Sequence, residues 1–170
     1  MSVSHQTVTA ADIVNNTPFD ELVDIFSAYG QEPKSKTIAQ AIIDQRKTKR
    51  FTTTGQLVAL IESIINPRAF KAKRGIHPAT QVFQALRIAV NNEFENIQSL
   101  LMAASHFLKP SGRIVCISFH SLEDRMVKNF FKDHTDKFRA LTTKPVIASD
   151  EEIAINASSR SAKLRAAEKC

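Results

Sequence analysis

A chain of 170 residues, 43% hydrophobic and 24% charged with a formal net charge of +6, has the composition of one globular domain, or a domain with a subdomain, and not of a disordered chain. No apolar run approaches the roughly 18 residues that cross a bilayer, and the start, Met1-Ser-Val-Ser-His-Gln6, has neither the basic beginning nor the apolar stretch of a signal peptide. Two cysteines, Cys116 and Cys170, supply neither a disulfide framework nor a metal set, so a reduced, cytoplasmic setting without membrane or metal is expected.

Residues 7–16 read as a short helix capped by Thr9. A second follows, with Thr17 as N-cap and Pro18 at the first helical position. Phe19, Leu22, Val23, Phe26 and Tyr29 recur along it at helical spacing, and Gly30 is placed to end it in a left-handed cap. A third helix, about residues 33–47, buries Ile38, Ala41 and Ile42. Thr54 caps a fourth, with Leu57, Val58, Ile61, Ile64 and Ile65 on one face, and Asn66-Pro67 stops it. Between Lys34 and Arg74 lie ten Lys/Arg against Asp44 and Glu62, a net +8, whereas the rest of the chain nets −2. A helical body that holds all the excess positive charge favours a polyanionic partner, foremost nucleic acid, over a merely solvated face.

Residues 68–77 form a basic loop carrying Lys71, Lys73 and Arg74, and Pro78 opens the longest helix of the chain. Phe83, Leu86, Val90, Phe94, Ile97, Leu101, Ala104 and Leu108 follow at intervals of three and four, a core stripe. Arg87 and Asn91 on the opposite face are within reach of a ligand, although solvated side chains are commoner at such positions. Lys109-Pro-Ser-Gly112 then turns the chain into Ile114-Val-Cys-Ile117, a continuous apolar run that fits a strand buried on both faces, as in a parallel sheet covered by helices.

Where that run ends the chain turns polar at once: Ser118, His120, Ser121, Glu123, Asp124 and Arg125. Ligands of open α/β sheets bind at the carboxyl ends of strands, which makes this cluster a site candidate. A purely structural account is equally open. Ser121 would cap the next helix, Glu123 and Asp124 would suit the positive end of its dipole, and His120 would be a satisfied loop residue. That helix, over residues 122–131, turns Leu122, Met126, Val127, Phe130 and Phe131 inward. Residues 138–147 read as a strand broken at Pro145, 149–153 as a capped helical turn, and 162–167 as a strand pairing antiparallel with the earlier one.

Four strings carry a likeness: Ser118-Phe-His-Ser-Leu-Glu-Asp-Arg125, His77-Pro-Ala-Thr-Gln-Val-Phe-Gln-Ala-Leu-Arg-Ile88, Leu108-Lys-Pro-Ser-Gly-Arg113 and Arg160-Ser-Ala-Lys-Leu-Arg165. With Tyr29-Gly30 and residues 9–14, they resemble the small-subunit ribosomal RNA cytosine-N4 methyltransferases of the RsmH (MraW) type over essentially the whole chain. The resemblance implies an α/β fold: the later half of a Rossmann-like class I methyltransferase domain plus an inserted all-α helical subdomain. Residues 1–16 would be a linker and short helix of the catalytic domain, 17–76 the inserted basic subdomain, and 77–170 the C-terminal half of the methyltransferase domain. The implied chemistry is S-adenosylmethionine-dependent methylation of the exocyclic N4 of a cytidine in small-subunit ribosomal RNA.

The family's cofactor motifs would lie in a half preceding Met1: a glycine-rich loop, an acidic ribose ligand and a further polar motif. Gly30, Gly55, Gly75 and Gly112 are too scattered to replace that loop, so no cofactor-binding residue is assigned in this chain. Asn156-Ala-Ser-Ser-Arg160 also departs from the Asn-Pro-Arg-Ala-Arg usual in the family.

Methylation of an amine needs a base held out of its stack and acceptors that orient the amine and take its proton. Ser118, His120, Glu123 and Asp124 are the expected catalytic groups, with Ser121 beside them on the substrate. Arg125 is expected to bind phosphate or to pair with the acidic residues. His77, Arg87, Asn91, Lys71, Lys73 and Arg74 are expected on the RNA. Partners would be small-subunit ribosomal RNA and either a separate N-terminal half or a second copy. Two other classes stay open: an inactive RNA-binding remnant, and the C-terminal half of a split enzyme. An isolated half-domain is expected to expose an apolar sheet edge and to self-associate.

Overall fold

In the computed structural model, which describes residues 8–65 and 77–170, the chain divides into two units, Met1–Glu93 and Phe94–Cys170, each with its own core. The described part of the first unit is helical. Thr9 starts α1 (Ala10–Asn16) as expected: its side chain accepts from the Asp12 amide while Asp12 reaches back to the Thr9 amide. Pro18, not Thr17, stands at the N-cap of α2 (Phe19–Asp24), because Thr17 is already engaged in closing α1. A five-residue π-helical segment, Ile25–Tyr29, continues α2.

Gly30 does not form the expected left-handed cap. Its φ is −93°, and the positive φ falls on Gln31, at 51°. Glycine is needed at position 30 for another reason: a Cβ there would sit 2.6 Å from the Gln81 carbonyl oxygen and 2.7 Å from that of Phe26.

Helix α3 (Ser35–Thr48) places Ile38, Ala39 and Ile42 in the core, while Ala41 stays half-buried. Helix α4 (Thr54–Ile64) is capped by Thr53 rather than Thr54, since only Thr53 has a glutamine three residues on, Gln56, to close the capping box. Helix α5 (Thr80–Asn91) completes the unit. Leu22, Phe26, Ile38, Ile42, Ile61, Val82 and Leu86 make one continuous core, joined by Ile13 and Val14 of α1. Residues before position 17 and after position 76 thus share this core with the helices between them.

The long helix expected over residues 78–108 is two helices. Asn92 adopts a left-handed conformation with φ 48°, which ends α5 and precedes α6 (Glu93–Phe107). Asparagine tolerates this region better than most residues, and its amide bonds back to Ile88 and Ala89 carbonyls as a helix C-terminus does. The apolar stripe keeps its spacing across the break but serves two cores. Phe83, Leu86 and Val90 pack in the first, and Ile97, Leu101 and Leu108 in the second.

The second unit mixes helix and sheet. β1 (Arg113–Ser118) leads into α7 (Ser121–Asp133), β2 (Phe138–Ala140), β3 (Val146–Ile147), α8 (Asp150–Ile155) and β4 (Lys163–Lys169). The order is β1-β4-β2, with β3 also on β4, and every pairing is antiparallel. The pairing of β4 with the strands interrupted at Pro145 was expected; its antiparallel pairing with one edge of β1 was not. β1 is also not buried on both faces. Ile114 and Cys116 pack beside Leu101, Val127, Phe130, Phe131, Phe138 and Ala167, whereas Val115 and Ile117 are 57% and 58% exposed. The run is continuous in hydrophobicity, but the period of two still sends alternate side chains to opposite faces.

Candidate active site at the β1–α7 corner

The last residue of β1, Ser118, is buried and pairs with Lys163 across the sheet. Two residues later α7 begins, and its N-cap is His120, with Ser121 at the first helical position. The ring Nδ1 of His120 accepts from the Glu123 amide at 3.3 Å. The Glu123 carboxylate returns the bond, its Oε2 accepting from the amides of Phe119 at 2.9 Å and His120 at 3.2 Å. This is a capping box with histidine in the place usually held by serine or threonine. A neutral ring with Nδ1 as acceptor carries its proton on Nε2, which lies 3.2 Å from Glu123 Oε1. The Phe94 ring stands 6.5 Å from the imidazole, centroid to centroid.

Asp124, one residue further, is turned the other way. Its Oδ1 accepts from Arg165 Nε at 2.6 Å and its Oδ2 from the second guanidinium arm at 3.1 Å. Both side chains are almost enclosed, 12% and 8% exposed, and Lys163 approaches the same carboxylate at 3.9 Å. The hydrogen bonds from Arg165 hold the Asp124 carboxyl below the usual carboxylate range, against the opposing effect of burial. Arg125, expected either to bind phosphate or to pair with the acidic residues, is exposed and makes no ion pair among the described residues. Arg165 takes its place from β4, opposite Cys116 in the register. The signal for it was present in the sequence as the basic string 160–165. Burial pushes the Cys116 thiol up, away from the reactive thiolate form.

The structure thus gathers Ser118, His120, Ser121, Glu123, Asp124 and Arg125 at one strand-to-helix corner of the second unit. His77, Arg87 and Asn91 belong to the first unit. There His77 and Arg87 line one shallow cleft of about 460 Å³ with Val58, Phe83 and Gln84. His77 Nδ1 accepts from the Ala79 amide at 3.2 Å, and its Nε2 lies 3.0 Å from Glu62 Oε1. Arg87 forks onto Glu93 at 2.8 and 3.1 Å, and Asn91 reaches the same carboxylate at 3.3 Å. Lys71, Lys73 and Arg74 lie outside the described residues. Part of the basic segment has structural work: Arg46 donates to the Val14 and Thr17 carbonyls at the end of α1, and Lys34 to the Ile64 carbonyl at the end of α4.

The corner combines a strand end, a helix N-terminus and oriented polar groups, an arrangement suited to gripping a polar heterocycle. Comparison with known proteins bears on what kind of chain carries it. Three curated relatives, each named ribosomal RNA small subunit methyltransferase H, are similar to it. The one from Carboxydothermus hydrogenoformans is 46% identical over 95% of this chain and 56% of its own length. The one from Picosynechococcus sp. is 51% identical over 96% and 54%, and the one from Hydrogenobaculum sp. is 46% identical over 97% and 54%. The chain spans about half the length of the curated relatives it matches. The model of the MraW methylase family matches residues 1–170. With that match over its whole length, and with the mixed helix-and-sheet architecture of a methyltransferase-like α/β fold, the chain belongs to the MraW methylase family.

Proposed function

We propose that this chain forms the acceptor side of an S-adenosylmethionine-dependent enzyme that methylates the N4 amine of a cytidine in small-subunit ribosomal RNA, a cytoplasmic substrate. The observation that carries the proposal is the β1–α7 corner, where Ser118, His120, Ser121 and Glu123 surround a strand end. The relatives' names supply the RNA. In the complete enzyme, residues 17–76 would be an inserted helical subdomain and 77–170 the later half of the catalytic domain.

S-Adenosylmethionine would supply an electrophilic methyl group, but the described residues do not fit it. Gly30 is packed against the Gln81 carbonyl and Gly112 lies in a tight turn on the Lys109 carbonyl, so neither opens backbone toward a nucleotide. The role of this chain would lie on the RNA, foremost the target base. A flipped cytosine presents an amine whose N–H bonds need acceptors. Glu123 Oε1 is the carboxylate oxygen that the cap does not use, and it would accept from the amine, with Ser118 and Ser121 of the same corner as further acceptors. His120 Nε2, 3.2 Å from Glu123 Oε1, would hold that carboxylate in place. His77, Arg87 and Asn91, with Lys71, Lys73 and Arg74, would hold the RNA backbone.

The rest of the enzyme has an evident place to pack. Leu100, Phe107 and Val115 border a shallow hollow, and Phe107 is 87% exposed. The outer edge of β1 pairs with no strand among the described residues. The test is reconstitution. The chain is mixed with the segment of a relative that it does not match, a labelled methyl donor and small ribosomal subunits, and the product nucleoside is read by mass spectrometry. N4-methylcytidine that forms only with both pieces, and is lost with Glu123→Ala, is the expected result. Undiminished transfer by both His120→Ala and Glu123→Ala would remove the corner from the chemistry.

A further inference from the structure

A second cavity in the Phe94–Cys170 unit lies away from the corner, bounded by the later turns of α7, by β2 and the chain following it, and by β4. Its volume is about 630 Å³, within the range of small-molecule sites. Its charge is one-sided. Lys128, Lys132, Arg139 and Arg165 line it, with Cys170 and no Asp or Glu side chain; Thr135, Thr142 and Thr143 add hydroxyls, over a floor that includes Phe131 and Phe138.

The four cations differ in what already neutralises them. Arg165 is bonded to Asp124, and Arg139 donates to Glu168 at 2.7 Å. Lys128 and Lys132 are exposed and make no ion pair among the described residues. They stand one turn apart on α7, a spacing at which like charges destabilise a helix by a few tenths of a kcal/mol. Dipole stabilisation at a helix C-terminus accounts for Lys132, in the last turn, while Lys128 feels the Asp124 carboxylate one turn earlier without an ion pair. Two exposed ammonium groups outside any close ion pair, beside hydroxyl donors and with no Asp or Glu side chain on the lining, form a site for phosphate oxygens.

The geometry points to this groove as a binding site for the phosphodiester backbone of flexible RNA, flanking the nucleotide held at the β1–α7 corner. This rests on the proposed function. Along the axis of α7, Lys128 is about 10 Å and Lys132 about 16 Å from Ser121, so a strand held at the corner reaches the groove within a few nucleotides. Hydroxyls and amines over an apolar floor suit a sugar–phosphate chain.

The test is binding of a fluorescein-labelled single-stranded RNA dodecamer, followed by anisotropy over a salt series, with polyglutamate as competitor. Replacing both groove lysines (Lys128→Gln with Lys132→Gln) removes two charges without changing helix propensity much. The plot of log K against log salt is expected to become shallower by about 1.4, two single-strand phosphate contacts. A control, Lys109→Gln with Arg160→Gln, removes two exposed charges outside the groove and is expected to change the slope less. RNA is also expected to shield Lys128 and Lys132 from acetylation, read by mass spectrometry on the unaltered chain. If the chain binds RNA and the groove variant keeps its slope, or the control matches it, the groove is overturned while the proposed function stands. If the unaltered chain binds no RNA, both fall. Displacement of RNA by polyglutamate at equal charge concentration overturns the choice of RNA.

Discussion

Removing Asp124 tests whether the β1–α7 corner is held from behind. In Asp124→Ala the Arg165 guanidinium, whose side chain is 8% exposed, loses both acceptors, and the amine 3.9 Å from the lost carboxylate, Lys163, has the same sign. Breaking a buried pair from one side costs about 3–5 kcal/mol. A unit of this size holds roughly 4–12 kcal/mol in all, so the loss is about a quarter of it or more. Replacing both partners, Asp124→Leu with Arg165→Met, leaves no stranded charge and is expected to recover most of that loss. The chain has no tryptophan and its one tyrosine, Tyr29, lies in the first unit, so fluorescence is blind to the change. Hydrogen exchange read by mass spectrometry on peptides from α7 and β4 reports it directly. The dependence on pH follows from the same bond. It lowers the folded-state pKa of Asp124, so its stabilisation is complete above the unfolded value of about 3.9 and fades as pH falls through the lower folded value. Protection of α7 and β4 is expected to hold from neutrality down to about pH 4 and then decline. An Asp124→Ala chain within 1 kcal/mol of the parent, or a double variant no better than the single one, would refute the reasoning.

Gly30→Ala forces a methyl group against two backbone carbonyl oxygens that no rotamer can move, and is expected to destabilise the first unit by about 1–3 kcal/mol in urea unfolding followed at Tyr29. Val115→Lys with Ile117→Lys places charges on the exposed face of β1 and is expected to reduce self-association in sedimentation, while leaving the β1–β4 register intact. His120→Ala removes the cap of α7 and is expected to cost about 1 kcal/mol locally, with faster exchange at the Glu123 amide; His120→Asn keeps an acceptor there and restores most of the protection.

Local signals in the sequence were legible where the partner of each residue was nearby. The Thr9 cap, the helices, the break at Pro145 and the antiparallel pairing of β4 all rest on contacts within a few residues or on a simple period. What was not legible needed distant partners. Nothing near Gly30 announces the Gln81 carbonyl that excludes a side chain, and nothing near Asp124 announces Arg165. The stripe from Phe83 to Leu108 has perfect helical spacing, yet one left-handed asparagine divides it between two cores, because spacing constrains which face is apolar and not whether the helix is continuous. The apolar run 114–117 failed for a different reason: hydrophobicity marks what is to be covered, and the exposed face of Val115 and Ile117 is uncovered among the described residues.

The polar cluster at 118–125 had two readings that seemed to compete, helix start or chemical site, and the first accounts for part of its atoms. His120 Nδ1 and Glu123 Oε2 are taken by backbone amides, and both oxygens of Asp124 by Arg165. Glu123 Oε1 stands outside the cap and lies 3.2 Å from His120 Nε2. A carboxylate with one oxygen accepting two backbone amide bonds is held in one orientation. On the proposed reaction that orientation is what matters. The proton leaves the cytidine amine only as the nitrogen gains its new bond and positive charge. Before that, a rigidly held oxygen orients the N–H. The cap that fixes Glu123 is thus what suits it to the chemistry, and loosening the cap by His120→Ala is expected to lower the methylation rate more than it lowers RNA affinity.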